Sequence, residues 1–174
     1  MRSTIIFNTN DMMYLLFKII HLLAVVAFLG NIVIGLFWMK WAYRTANTGY
    51  LQHTVNGIIA ADRIFTLPGV VVITIAGIMA AVKGGIPMLS TGWIFWSIVL
   101  FTLSGIIFMA KVGPLQTKMK NYLTQSISNN SYTNDEFKKL MKQWEFWGLL
   151  SVLTPLLAFL FMILKWPLLS PLAA

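Results

Sequence analysis

The 174 residues are 58% hydrophobic and only 10% charged, with a mean hydropathy of +0.77 and a formal net charge of +8. Soluble domains carry about 25% charged residues, so too few are present here to coat a water-facing surface. The absence of cysteine excludes disulfides, thioether-linked haem and cysteine-held iron–sulfur clusters. The basic residues flank apolar runs instead of forming a separate domain, which argues against a nucleic-acid partner.

Residues 1–10 read as a short polar tail. The first apolar run, 12–38, is too long for the core of a signal peptide. No small-x-small cleavage site follows it; "WMKWAYR" (38–44) does, an aromatic and basic stop. Three more runs follow at 64–82, 93–112 and 146–165. Each meets or approaches the ~20 apolar residues that a helix needs to cross hydrocarbon. None alternates as a barrel strand would.

The connections differ in character. Residues 39–63 are semi-polar with few breakers, so helix is expected to continue past the bilayer. "VKGGIPMLSTGW" (82–93) predicts a tight turn with a Ser/Thr helix start. Pro68 and Gly69 fall early in the second span, and Gly113-Pro114 is expected to end the third. Helix is expected again over 115–127, and a loop at "SISNNSYTND" (126–135). "TNDE" (133–136) reads as a capping box, with Thr133 as N-cap and Glu136 reaching back. The fourth helix would start there in water, enter the membrane at Trp144 and kink at Pro155. The expected fold is all-α: one polytopic membrane domain over residues 1–174, an up-down four-helix transmembrane bundle with cytoplasmic helix extensions. Small residues (Gly30, Gly35, Gly77, Ala81, Ser104, Gly105) would allow its helices to approach closely.

Charge sets the expected orientation. Lys40, Arg44, Arg63, Lys111, Lys118, Lys120, Lys138, Lys139 and Lys142 lie on or beside the two long connections; Arg2, Lys18, Lys83 and Lys165 lie on the other side. The positive-inside rule then puts both long connections in the cytoplasm and both termini outside. Trp38, Trp41, Trp144 and Trp147 are expected at the inner headgroups, and Trp93 and Trp166 at the outer ones.

His21 is the residue most at odds with its surroundings. It stands roughly 12 Å below the outer end of span one, where an unpaired imidazole costs a few kcal/mol. Helical spacing puts Tyr14, Lys18, His21, Val25 and Phe28 on one face. The functional reading is a haem or metal ligand or a proton-relay group. The structural one is a hydrogen bond to a neighbouring helix. Lys18, one turn nearer the surface, can snorkel to the headgroups or hold an acidic group of a ligand. His53 would lie about 25–30 Å away across the membrane, so the two histidines do not form a metal pair. Asp62 and Arg63, at the entrance to span two, are expected to pair across helices with Arg44, Lys111 or Glu145; a cytoplasmic polar site built from Arg44, Asp62 and Arg63 is the alternative. Met79 and Met109 read as packing. No paired intramembrane carboxylates, nucleophile–base pair, phosphate loop or HExxH motif is present.

"YLLFKIIHLLAVVAFLGNIVIGLFWMKWA" carries K-x-x-H near the start of an apolar helix and a glycine nine residues later: Lys18, His21 and Gly30. This pattern resembles the opening helix of the HemJ-type protoporphyrinogen oxidases, of CopD-type membrane domains, and of the four-span bacterial proteins grouped under domain of unknown function 2269. That last group fits best. "DRIFTLPGVVVITIAGIMAAVKGG" resembles its second span and "GWIFWSIVLFTLSGIIFMAKVGPLQTKM" its third. The resemblance implies a bacterial inner membrane and, from the HemJ-type proteins, b-type haem on His21, with Lys18 beside it. Those enzymes also need a lysine early in span three, where this chain has Ser97. The departure argues against protoporphyrinogen oxidation.

Three functions follow as expectations: haem or porphyrin binding through His21 in an electron-transfer or oxidoreductase role; a non-enzymatic accessory or scaffold subunit that docks itself, another membrane protein or anionic lipid; and a small-molecule or metal-ion permease. Catalysis is left open, and the bilayer is the one partner common to all three.

Overall fold

The computed structural model describes residues 8–172. The expected polar tail therefore lies largely outside it. Four long helices fill the described residues: α1 (Thr9–Arg44), α2 (Thr48–Lys83), α3 (Gly92–Ser128) and α4 (Asn134–Leu164). At about 1.5 Å per residue they are roughly 47–56 Å long. Hydrocarbon accounts for about 30 Å of that, so roughly 20 Å of each helix stands beyond it. The extensions expected from the semi-polar connections are therefore present. Nine of the thirteen basic residues cluster toward the end that carries the turns at 45–47 and 129–133, called the basic end below.

Local chemistry sets the boundaries. The Asn47 side chain accepts from the Tyr50 N–H at 2.9 Å and starts α2, directly after Ala46 turns the chain at φ 52°. At α4 the N-cap is Thr133, as expected, but the capping box does not form: no side chain caps this terminus. The Tyr122 hydroxyl takes over. It accepts from the Thr133 N–H at 2.9 Å and donates to the Thr133 carbonyl at 2.8 Å, pinning the start of α4 to α3. Gly85, at φ 61°, makes the turn after α2. Gly92 has no space for a Cβ, because the Leu168 backbone of the C-terminal segment lies directly over it.

Pro68 and Pro114 do not end helices. Each follows, after one intervening residue, a single π turn: Asp62–Thr66 in α2 and Phe108–Val112 in α3. A proline removes the donor for the carbonyl four residues back and its ring crowds that carbonyl. Here the helix loosens by one residue just before each proline: the Leu67 N–H reaches the Asp62 carbonyl, and the Gly113 N–H reaches Phe108. Gly113-Pro114 was expected to stop span three; the helix instead runs on to Ser128.

Packing differs between the two ends. At the basic end one contiguous apolar core joins all four helices, with Met39, Ala42, Leu51, Val55, Met119, Leu123 and Phe137 nearly or fully inaccessible. Toward the other end the bundle divides into two hairpins, α1 with α2 and α3 with α4. Among the described residues, no Cα of Leu67–Lys83 comes within 8 Å of one in Gly92–Ile107 or in α4. Phe28 of α1 and Phe101 of α3 bridge that gap, their ring centroids 5.8 Å apart.

The α1–α2 hairpin has a repeating seam. Tyr14, His21 and Phe28 stand seven residues apart, and each ring rests on a glycine of α2 or its end: Tyr14 on Gly84, His21 on Gly77, Phe28 on Gly69. Gly35 and Ala42 continue the same heptad, with Gly35 seated against Ile58 and Ala42 fully buried. A strict seven-residue repeat keeps two helices in register along a left-handed crossing. Of the expected small-residue contacts, Gly35, Gly77, Ala81 and Ser104 are at interfaces. Gly30 and Gly105 are not: a Cβ on either would meet nothing within 4 Å.

The α3–α4 hairpin is joined by hydroxyls. Pro155, inside α4, deprives the Ser151 carbonyl of its helical donor. The Ser104 hydroxyl of α3 donates to that carbonyl at 2.6 Å. Ser97 donates to the Trp93 carbonyl of its own helix at 2.7 Å and to the Ala158 carbonyl of α4 at 3.1 Å. Such bonds hold helices together where apolar burial supplies no preference for protein over lipid.

Candidate functional site

His21 is half-buried, with Nδ1 2.8 Å from the Ile73 carbonyl oxygen of α2. A carbonyl can only accept, so Nδ1 carries the proton and donates. Nε2 is then the ring nitrogen with a free lone pair in the neutral imidazole. The partner carbonyl also fixes the ring plane. This is the arrangement in which histidines generally ligate metals: one nitrogen held by a carbonyl, the other available. It is equally the helix–helix hydrogen bond of the structural reading, so both descriptions apply to the same atoms. Lys18 is exposed one turn away, its Nζ 5.6 Å from the centroid of the Tyr14 ring. An ammonium over a ring face is held there weakly and remains open to a second, anionic partner.

The donor set here is a single imidazole. Cysteine is absent, and among the described residues no three His, Asp or Glu side chains converge as a metal group would require. His53 is exposed on α2 near the basic end, far from His21 along the bundle. Met79 is half-buried and Met109 exposed, as packing and lipid-facing residues.

The second polar site was only partly anticipated. Asp62 is buried, at 8% exposure, and among the described residues its partners are neutral side chains. Its Oδ1 accepts from Asn31 Nδ2 at 3.0 Å and from the Thr66 hydroxyl at 2.8 Å; its Oδ2 accepts from Gln116 Nε2 at 2.7 Å. Asn31 also donates to Thr66 Oγ1 at 2.9 Å. The expected partners Arg44, Lys111 and Glu145 are not among these. Lys111 is exposed with its Nζ 5.3 Å from the Trp147 ring. Arg63 is exposed, and Arg44 stands at the far end of α1, about 20 Å along the helix from the level of Asn31. The structure therefore does not bring Arg44, Asp62 and Arg63 together. The physical reason is that the π turn faces Asp62 and Thr66 inward together, while Arg63, about 100° round the helix, faces out.

Trp144 adds a feature that was not expected. It is 3% exposed and faces the bundle interior, not lipid. A small cavity beside it is lined by Asn31, Asp62, Gln116, Trp144 and Ser151, among others. All four helices thus contribute to one polar junction, at the level where the two hairpins begin to separate.

At the basic end Tyr43, Tyr122, Tyr132 and Phe137 form an aromatic cluster with centroids 6.2–6.4 Å apart. Tyr132, in the loop before α4, has its phenol pushed above the usual range, first by burial and then by the neighbouring Tyr43 and Tyr122.

These features were compared with known proteins. A family model described as predicted integral membrane protein (DUF2269) matches residues 15–166, which include His21, the polar junction and all four helices. The chain belongs to this family. No curated protein and no solved structure gives a significant match. Membership establishes a multi-pass integral membrane protein, in agreement with four helices long and apolar enough to cross a bilayer. The family's description assigns no activity.

Proposed function

We propose that this DUF2269 protein holds a haem b or a related porphyrin through His21, in an electron-transfer or oxidoreductase role. The observation that carries the reading is the 2.8 Å bond from His21 Nδ1 to the Ile73 carbonyl. It fixes the tautomer that leaves Nε2 free, and it makes Nε2 a better donor to iron. Gly77 gives the imidazole its seat, and Lys18 supplies an ammonium one turn away for a propionate. His21 would hold the group, with Lys18 beside it, and a haem bound there would supply one-electron chemistry. The excess of bases favours a cytoplasmic basic end under the positive-inside rule, and a bacterial inner membrane is proposed on the HemJ-type resemblance alone.

The test is an absorption spectrum of the detergent-purified protein, expressed with ample haem supply, beside His21→Ala. The expected result is a Soret band in the parent that is lost in a folded variant. A parent without a band, also blank in metal analysis, would end the cofactor reading. His21 would then be a helix–helix bond only, and function would be sought in protein or anionic-lipid docking at the basic end, with stoichiometric co-purification as the measurement, or in solute uptake by reconstituted vesicles.

A further inference from the structure

The indole N–H of Trp144 is buried and has no hydrogen-bond partner. An orphaned donor of this kind costs about 1–3 kcal/mol unless something meets it. Trp144 lines a cavity of about 20 Å³ together with Asn31, Asp62, Gln116 and Ser151. That volume is enough for a water, which needs about 10–15 Å³, and too small for an organic ligand. A bound water needs two to four polar partners, and this wall offers more than that.

The identity of the ligand follows from what is missing. Trp144 can only donate, so the ligand must accept; this argues against a bare metal cation. Asp62 Oδ2 has accepted one bond, from Gln116, and retains a free lone pair. Asn31 spends its amide N–H groups on Asp62 and Thr66, and Gln116 spends one of its two on Asp62, which leaves both amide carbonyl oxygens as further acceptors. The ligand must therefore also donate. A neutral molecule of this size that does both is water.

We propose that the cavity is a binding site for one water, which accepts from Trp144 Nε1–H and donates to the Asp62 carboxylate. The water closes the polar junction across the bundle, joining α4 to the Asn31–Asp62–Thr66–Gln116 cluster of the other three helices. It binds where the hairpins meet, so their separation at this level and the loss of the water are one event. The charged residues on adjoining turns take no part: Lys40, Arg63 and Lys111 are exposed, and Glu145 is half-buried beside Trp144.

The experiment uses the full chain in nanodiscs, labelled with ¹⁵N-tryptophan, with the Trp144 indole resonance assigned by its loss in Trp144→Phe. The expected result is a water–indole cross-peak of the sign of a long-lived bound water, lost in Asp62→Ala while the other indole resonances stay in place. If Asp62→Ala does not fold, Asp62→Asn preserves the volume and replaces the water's acceptor; the cross-peak then remains and the Trp144 indole resonance shifts. A parent with a well-resolved Trp144 resonance and no water cross-peak would overturn the proposal. So would a cross-peak of unchanged intensity in Asp62→Ala, or an unmoved indole resonance in Asp62→Asn.

Discussion

Gly77→Ala isolates what His21 does for the fold. A Cβ at position 77 would lie 3.0 Å from His21 Nδ1 and 3.1 Å from Cε1. Both are closer than ordinary carbon contacts, and the ring is tethered by its bond to Ile73, so it must shift by a few tenths of an ångström or lose that bond. Overpacking of this kind costs about 1–3 kcal/mol, and a strained interhelical bond in a membrane about 1 kcal/mol more. The helix itself gains about 0.5–1 kcal/mol from replacing glycine by alanine. The net expectation is a loss of about 1–3 kcal/mol in the parent. In His21→Ala the ring is gone, and Gly77→Ala is expected to stabilise by about 0.5–1 kcal/mol. The assay is reversible unfolding in detergent, followed by helical circular dichroism, on the four proteins of the double-mutant cycle. A Gly77→Ala effect of the same sign and size in both backgrounds would refute the contact between the ring and the glycine. The cycle does not depend on haem, so it separates the packing role of His21 from the ligand role.

Three other expectations follow from single contacts. Ser104→Ala leaves the Ser151 carbonyl with only the long 3.5 Å contact from the Thr154 hydroxyl and should cost about 1–3 kcal/mol; in a Pro155→Ala background, where the helical N–H is restored, the same substitution should be close to neutral in denaturant unfolding. Tyr122→Phe removes both bonds to Thr133, so the amides of the first turn of α4 should exchange with deuterium faster by about 5–30-fold, corresponding to about 1–2 kcal/mol. Tyr132 holds its proton more tightly in the folded state than in the unfolded one, whose value is near 10.0. Its contribution to stability is thus complete below that pH and is lost as pH rises through the folded value. The melting temperature of the parent should therefore fall more steeply above pH 10.0 than that of Tyr132→Phe.

Much of the fold was legible because lipid imposes simple demands. Apolar run lengths give the four spans, and the semi-polar stretches after them give the extensions. The face that holds Tyr14, His21 and Phe28 is visible as a helical period, and the helix that receives it is the one rich in glycine. The polar junction was harder to read. Asp62 stood out as a charge beside a span, and the expectation was a charged partner. Its actual partners are two amides and a threonine, which carry no charge and attract no notice in a semi-polar stretch. Phase adds to the difficulty: a π turn adds a residue to its turn, so a regular helical wheel drawn through 108–116 would place Gln116 wrongly. The signal was present in Pro68 and Pro114, since each forces the helix to loosen one residue upstream. Trp144 was read for its depth alone. Its burial in the core was not read, because a tryptophan at a span boundary gives no sign of which way it faces.

The division of the bundle gives these details their meaning. The basic end is held as a soluble protein is, by a closed apolar core. Inside the membrane that force is absent between helices, because lipid solvates leucine as well as protein does. There the chain uses other devices: rings on glycines in one hairpin, hydroxyls on carbonyls in the other. Neither device joins one hairpin to the other; Phe28 against Phe101 is one contact that does. The Asp62 junction therefore sits at the last level where all four helices are bound together. Substitutions there should alter how far the hairpins part without unfolding either one, whereas substitutions at Met119 or Phe137 should unfold the basic end. Cysteine pairs across the hairpins, at positions 28 and 101, distinguish the two. Their crosslinking rate should change several-fold in Gln116→Leu with helicity retained, and an unchanged rate would show that the junction does not set the spacing.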